Sequence, residues 1–206
     1  MNGKFEQLYE KKSRIHQYNT INCAVEFYQQ EVLRFLSIAG TLKENGLSNN
    51  PQSVDARYFS HILTRSLIEN FFIMIYVFDS VNDSETRFNE ILNGFKQDYL
   101  KLYNESELPF KEELAVPQSD WKDLKKPKDI KSILNAVKNE NEEKLGYLYF
   151  VYRITSFDTH GKNLLVFLQQ SFENTSNLNF PILDINNILN LIANEYIAIW
   201  QQIEQK

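Results

Sequence analysis

The chain has 206 residues, of which 43% are hydrophobic and 14% aromatic, and these values exclude an intrinsically disordered protein. The formal net charge of −5 argues against a strongly basic nucleic-acid-binding surface, although an acidic protein can still carry a local basic patch. The single cysteine, Cys23, excludes an intramolecular disulfide and a cysteine-based zinc site and is typical of a reducing cytosol, so we expect a cytoplasmic protein.

The length suits a single domain over residues 1–206, and six glycines and five prolines are too few for the tight turns of an all-β fold. The N-terminal segment is charged and has no continuous apolar core, which predicts no signal peptide. The most apolar run, FFIMIYVF from Phe71 to Phe78, is far shorter than the ~20 residues of a membrane span. We therefore expect no membrane association.

The first half of the chain shows helical periodicity. Apolar residues recur at three- and four-residue spacing from Leu8 to Ala39, which predicts one long helix or two nearly continuous helices ending near Lys43. After the loop ENGLSNNPQS, Ser53 is a suitable N-cap for a helix that runs through FFIMIYVF to about Val81. FFIMIYVF alone would also suit a buried strand, but its continuity with a capped amphipathic segment favours a helix.

The second half continues the helical pattern around one irregular segment. Asp83 or Ser84 can cap a third helix that extends to about Leu102. Three of the five prolines fall within 105–128, which predicts a Pro-rich surface excursion, and Asp129 can then begin a short helix.

The last two helices are predicted to begin near Glu142 and at Asp184, the latter with a strongly amphipathic pattern. Together these elements predict an all-α, up-and-down bundle of five to six helices with a Pro-rich insertion. Its core is expected over about residues 53–205.

Polar side chains share one face of the helix that begins near Glu142. Arg153 and His160 are two turns apart, roughly 10 Å along the helix axis, so their side chains can converge on one ligand. Four polar residues follow spacings of four, three and four: Tyr149, Arg153, Ser156 and His160. Four apolar residues lie away from that face: Leu148, Val151, Ile154 and Phe157.

A second polar line enters the apolar helix, with Arg57, His61, Arg65 and Glu69 at four-residue intervals. Arg65 and Glu69 can form an i,i+4 ion pair. If the two polar lines face each other, the bundle encloses a single polar site: Arg65, Glu69, Arg153, Ser156 and His160. The structural alternative is that His160 is a hydrogen-bonded or capping residue, with Asp158 or Thr159 capping a new helix.

The spacing Arg153 to His160 fits the R-x4-6-H motif of the HEPN superfamily of helical-bundle proteins, which includes metal-independent endoribonucleases. The combination of RSLIEN (65–70) and YRITSFDTHG (152–161) also resembles a bacterial domain family of unknown function that pairs R-x-x-x-E with Y-x-x-x-S-x-x-x-H. The resemblance spans about 53–170. HEPN ribonucleases commonly carry a polar residue directly after the motif arginine, whereas this chain has Ile154.

The resemblance implies cleavage of RNA through its 2′-hydroxyl without a metal or another cofactor. His160 would be the general acid/base and Arg153 would bind the scissile phosphate, with Tyr152 and Ser156 orienting the reacting groups. Arg65 and Glu69 would support these residues. Further residues that could contribute are Tyr149, His61 and Asp158. The resemblance also implies a homodimer with a composite site, a role as a toxin or phage-defence effector, and an antitoxin or other protein partner.

The sequence also allows two other interpretations of the polar site. A non-catalytic helical module would use the same polar site to bind a nucleotide, RNA or a protein, and a purely structural bundle would bind nothing. A metal site of His61, Glu69 and His160 requires a particular packing of the helices. The lysine-rich segment WKDLKKPKDIK around Trp121 suits single-stranded nucleic acid, but its aspartates favour a solvated loop. The sequence contains no glycine-rich phosphate loop and no nucleophile elbow.

Overall fold

A computed structural model of the protein describes residues 3–45, 54–137, 142–159, 170–171 and 183–205. These ranges contain no strand, and the predicted all-α helical bundle is confirmed. They hold seven α-helices: α1 Lys4–His16, α2 Cys23–Glu44, α3 Val54–Val77, α4 Ser84–Tyr103, α5 Ile130–Ala136, α6 Glu142–Thr159 and α7 Ile185–Glu204. The number exceeds five to six because the N-terminal pattern forms two helices, separated by 17–22.

Local sequence signals explain where several helices begin. The side chain of Asp129 accepts a hydrogen bond from the backbone N–H of Ser132 at 2.8 Å, and that of Asp184 accepts one from Asn187 at 3.0 Å. The predicted N-caps Asp129 and Asp184 are therefore confirmed, whereas Asp83 stands at the N-cap position of α4 without a side-chain capping hydrogen bond. The run FFIMIYVF is helical from Phe71 to Val77, as predicted, although α3 ends at Val77 rather than near Val81. The predicted cap Ser53 lies outside the described residues.

The contacts within the chain divide it into two compact units. The first unit comprises residues 1–20, 25–71 and 139–206, and the second comprises 21–24 and 72–138. Their boundary falls inside α3, directly after Phe71, the first residue of its apolar run.

The core of the first unit is built around α7, whose apolar residues repeat with helical spacing and are buried. Tyr28 stacks against Trp200 with ring centroids 6.3 Å apart, and its hydroxyl donates to the carbonyl of Tyr196 at 2.7 Å. Because Phe5 bonds to Asn190 at 3.1 Å and Arg14 pairs with Glu204, α1 runs parallel to α7. Buried side chains of α1 and α2 extend this core N-terminally beyond residue 53.

In the first unit, α3 contacts both α2 and α6. Glu31 of α2 meets Asn70, and Arg34 meets Ser66, so the contacts run in opposite order along the two helices. The contacts of α3 with α6 are also antiparallel, since residue 61 meets residue 158 and residue 65 meets residue 152. This antiparallel packing places His61 and Arg65 of the α3 polar line against Asp158 and Tyr152 of α6, rather than against the polar line predicted on α6.

In the second unit, the Pro-rich segment 105–128 is anchored to α4. The side chains of Asn93, Gln97 and Tyr99 donate hydrogen bonds of 2.6–2.9 Å to the backbone carbonyls of Lys125, Leu124 and Ala115, respectively. Short 3₁₀ helices at 111–113 and 119–123 give the segment local order. The segment is therefore held along α4 at several points of its length.

Candidate functional site

The closest polar contact between α3 and α6 joins Arg65, from the polar line of α3, to Tyr152, which precedes Arg153 of the line predicted on α6. The guanidinium of Arg65 donates to the backbone carbonyl of Tyr152 at 3.0 Å and to its hydroxyl at 3.0 Å. The guanidinium carbon also lies 4.1 Å from the centroid of the Tyr152 ring, within cation–π range. The Arg65 side chain is only 13% exposed. A single arginine thus links the two helices by three interactions.

Glu69 lies at the margin of this contact. Its carboxylate is 4.0 Å from Arg65 Nη2, at the limit of an ion pair, and is partly exposed. Burial and the charge of Glu69 raise the pKa of the Tyr152 hydroxyl, while the positive charge of Arg65 opposes this effect. Tyr152 is therefore a neutral phenol at physiological pH, and its hydroxyl oxygen can accept the hydrogen bond from the Arg65 guanidinium.

Aromatic stacking continues from Tyr152 toward the second predicted arginine. The rings of Tyr149 and Tyr152 are 6.2 Å apart with an interplanar angle of 21°, and the Arg153 guanidinium carbon lies 6.0 Å from the Tyr149 centroid. Arg65, Tyr152, Tyr149 and Arg153 therefore form one continuous series of contacts, which we call the cation–aromatic row.

Arg153 and Arg65 differ in their surroundings. Arg153 is exposed, and within the described ranges no side chain or carbonyl forms an ion pair or hydrogen bond with its guanidinium. Arg65 is largely buried and its donors face Tyr152. Consequently Arg153 can offer its guanidinium to an external anion, whereas Arg65 serves the packing of α3 on α6.

Ser156 and His160 complete the predicted line on α6. The hydroxyl of Ser156 donates to the backbone carbonyl of Arg153 at 2.5 Å, one turn earlier in the same helix. His160 lies outside the described residues, as does the side chain of Arg57. Of the described residues of this line, Tyr149 and Arg153 are in contact through their side chains, whereas Ser156 is bonded to the backbone of its own helix.

A second polar contact joins α3 and α6 through His61 and Asp158. The Nδ1 atom of His61 is 2.6 Å from a carboxylate oxygen of Asp158, and both side chains are buried. A buried pair of this kind is tolerated only when each group has a partner, so it fixes the register between the two helices. His61 and Asp158 thus lie together, one helical turn from Arg65 along α3.

The burial of α6 shows how the helix is rotated. Its most buried side chains are Leu148, Val151, Thr155 and Asp158. Thr155 satisfies its hydroxyl by donating to the carbonyl of Val151 at 2.8 Å. Arg153 points to the opposite, exposed side, and Phe157 is exposed. Arg65, Glu69 and Tyr152 form one cluster, and Arg153 is connected to it through Tyr149.

A buried carboxylate network lies on the other side of α3, and the sequence analysis did not identify it. Glu31 is 3% exposed and accepts two hydrogen bonds from Arg34, at 2.7 and 2.9 Å. It also accepts bonds from Asn70 at 3.1 Å and from the hydroxyl of Tyr196 at 3.3 Å. The one sequence feature that could have indicated the network is the i,i+3 pair of opposite charges, Glu31 and Arg34, which lies among apolar residues.

The network shifts the titration of its neighbours. Burial, reinforced by the charge of Glu31, raises the pKa of Tyr196 well above its ordinary value. Burial lowers the pKa of Arg34, but the hydrogen bond and charge of Glu31 outweigh burial and raise it. Because every oxygen of Glu31 is hydrogen-bonded, the network holds α2, α3 and α7 together rather than presenting a reactive group.

Within the described residues, no three His, Cys, Asp or Glu side chains are grouped as a metal site requires. The described helices include none that is individually long and apolar enough to cross a membrane, and one bent pair, 58–77 with 81–103, meets the length and composition criteria jointly.

No protein-family model, curated protein sequence or solved structure matches the chain.

Proposed function

We propose that the protein is a HEPN-like, metal-independent endoribonuclease that cleaves RNA through its 2′-hydroxyl, acting as a toxin or phage-defence effector. The observation that carries the proposal is the exposed guanidinium of Arg153, which lies against Tyr149 without an ion pair among the described residues. It occupies the arginine position of the R-x6-H motif, seven residues before His160.

The cation–aromatic row suits an RNA substrate. A guanidinium binds a phosphate through two parallel hydrogen bonds, and the adjacent tyrosine offers a ring on which a base can stack. Arg153 would hold the scissile phosphate and stabilise negative charge on the pentacoordinate phosphorane. Arg65 is a positioning residue in this scheme, because its donors face Tyr152 and fix α6.

His160 would move the proton. As a neutral imidazole it removes the proton from the 2′-hydroxyl while the 2′-oxygen attacks phosphorus. The bond to the 5′-oxygen breaks, and this leaving group takes a proton from an imidazolium. The products are a 2′,3′-cyclic phosphate and a 5′-hydroxyl. Since the base and the acid act at opposite sides of phosphorus, a homodimer with one histidine from each subunit supplies both.

Cleavage of RNA by the purified full-length chain in EDTA tests this function. We expect 2′,3′-cyclic phosphate ends, and loss of at least about a hundredfold in rate for Arg153→Ala and for His160→Ala. Arg153→Lys keeps the charge without the planar fork, so it should retain part of the activity. Arg14→Ala, which removes an exposed arginine of α1, is the matched control. Full activity in both the Arg153→Ala and His160→Ala proteins would exclude this mechanism.

A non-catalytic module that binds a nucleotide, RNA or a protein such as an antitoxin is the second candidate. It is favoured by Ser156, whose hydroxyl is bonded to the carbonyl of Arg153, and by Ile154 at the position where HEPN ribonucleases carry a polar residue. In this case Arg153→Ala weakens ligand binding, measured by fluorescence anisotropy with labelled RNA, and the unmodified protein shows no cleavage. Cleavage that depends on His160 would contradict it.

A further inference from the structure

A ladder of aromatic rings runs along α4 in the second unit. Phe95, Tyr99 and Tyr103 are separated by one helical turn each, with successive ring centroids 6.0 and 6.4 Å apart. Trp121 of the Pro-rich segment adds a fourth ring, 6.3 Å from that of Tyr99. Phe95 is 64% exposed, and the other three rings are partly exposed. A soluble protein seldom leaves several adjacent aromatic side chains exposed without a binding function.

The polar atoms of two of these rings are hydrogen-bonded, and all four rings keep part of their surface exposed. The hydroxyl of Tyr99 donates to the carbonyl of Ala115 at 2.8 Å, and the indole N–H of Trp121 donates to Gln118 at 3.2 Å. These bonds restrain the orientations of the Tyr99 and Trp121 rings. Fixed aromatic rings lose little conformational entropy when a planar ligand stacks on them.

Lysine side chains lie next to these aromatic rings. The ammonium of Lys96 is 5.9 Å from the ring centroid of Trp121, and that of Lys111 is 4.7 Å from Tyr103. Lys101 and Lys122 line an adjacent open depression of about 460 Å³, to which Tyr103 also contributes. None of the residues lining it, all within the described ranges, is acidic.

From this arrangement we infer that the aromatic–lysine surface, formed by Phe95, Tyr99, Tyr103 and Trp121 with Lys96, Lys111 and Lys122, binds single-stranded nucleic acid. Stacked rings bind exposed bases without sequence preference, and flanking lysines bind the phosphates between them. A duplex keeps its bases stacked inside and cannot use the rings. The inference does not depend on RNA cleavage, since it concerns binding by the second unit.

The carboxylates near this surface set its expected salt dependence. Asp98 pairs with Lys101 at 3.1 Å and with Lys126 at 3.5 Å, while Asp120 and Asp123 are exposed. Few lysines are therefore available for phosphates, and stacking supplies much of the affinity. With about three phosphates contacted, the slope of log Kd against log salt should be only about 2 in magnitude.

Tryptophan fluorescence of the full-length chain provides a direct test. The chain has two tryptophans, and Trp200 is completely buried, so a base stacked at the surface quenches Trp121 alone. The probes are twelve-nucleotide oligouridine and oligothymidine, a duplex of equal length, and inorganic polyphosphate. We expect quenching by both single strands, and at least about tenfold weaker binding of the duplex and polyphosphate.

Variants separate stacking from nonspecific attraction. Phe95→Ala and Trp121→Ala should each weaken oligouridine binding, followed by anisotropy of a labelled strand, by about five- to a hundredfold. Phe95 is exposed, so its removal leaves the core intact. Tyr9→Ala is the matched control, since Tyr9 is exposed on α1 with Lys12 at 5.8 Å from its ring. Unchanged binding in the Phe95→Ala protein, an equal loss in Tyr9→Ala, or equal affinity for duplex and polyphosphate would overturn the inference.

Discussion

The contact between Arg65 and Tyr152 can be measured by replacing Tyr152 with phenylalanine and Arg65 with lysine, separately and together. Tyr152→Phe removes only the hydroxyl that accepts from Arg65 at 3.0 Å. Arg65→Lys keeps the positive charge but cannot bond the hydroxyl and the backbone carbonyl of Tyr152 while also lying over its ring. Both replacements preserve the approximate volume of the side chain.

The surroundings of the contact set the size of the effect. A hydrogen bond from a charged donor contributes about 1.5–3 kcal/mol when it is largely buried. Arg65 is 13% exposed, and Glu69 at 4.0 Å partly compensates the lost acceptor, so we expect Tyr152→Phe to cost about 1–2 kcal/mol. For a chain of this length, that loss lowers Tm by roughly 2–8 °C. Arg65→Lys should cost about 2 kcal/mol or more, because it also loses the carbonyl bond.

Urea unfolding followed by circular dichroism at 222 nm provides the free energies for a double-mutant cycle. The two replacements share one contact, so the coupling energy should be about 1 kcal/mol or more. Tyr149→Phe is the control, since no described residue bonds to the Tyr149 hydroxyl, and it should change stability by less than about 0.5 kcal/mol. A coupling energy near zero, with Tyr152→Phe as stable as the unmodified protein, would mean that α3 and α6 do not meet through these side chains.

Two further predictions concern the buried polar groups of the two units. Glu31→Gln should lower the free energy of unfolding by about 2–4 kcal/mol, because the amide leaves the charge of Arg34 uncompensated and points its own N–H donors at other donors. Glu26→Gln is the control, since Glu26 is exposed, and it should have little effect. Equal stability of the two variants in urea would contradict this role for Glu31. The free energy of unfolding should also fall above pH 10. Burial raises the pKa of Tyr196 well above its ordinary value, and burial together with Glu90 raises the pKa of Tyr76 to about 12. As the pH rises, the unfolded chain therefore loses these protons before the folded protein does, which favours unfolding. A Tm that stays constant from pH 9 to 11.5, or a decline that is no shallower in Tyr196→Phe, would refute this assignment.

Helix positions were predictable from the sequence because their signals are local. Asp129 and Asp184 cap their helices through bonds to residues three positions later, and the apolar period of α7 identifies its buried face. The short segment between α1 and α2 was harder to place, since apolar residues recur across it at helical spacing. In the structure, the side chain of Gln29 holds this turn by donating hydrogen bonds to the carbonyls of Ile15 and Tyr18 at the end of α1.

The candidate site was less predictable because polarity does not reveal a partner. Thr155 and Asp158 are polar, yet both are buried, since a carbonyl of the same helix and His61 satisfy them. A face defined by counting polar residues therefore placed Arg153 toward the interior, whereas the packing of α6 leaves it exposed. The Glu31 network was missed for the same reason, as its partners Asn70 and Tyr196 are 39 and 165 residues distant.

The different surroundings of Arg65 and Arg153 separate stability from activity at this site. Removing Arg65 should impair any function of α6, but it should do so together with a loss of folding stability, because its donors bond to Tyr152. Removing Arg153 breaks no hydrogen bond of its side chain among the described residues, so any loss of function should appear at unchanged Tm. If Arg153→Ala unfolds the protein as readily as Arg65→Ala, its guanidinium belongs to the packing of the bundle and is not available to a phosphate.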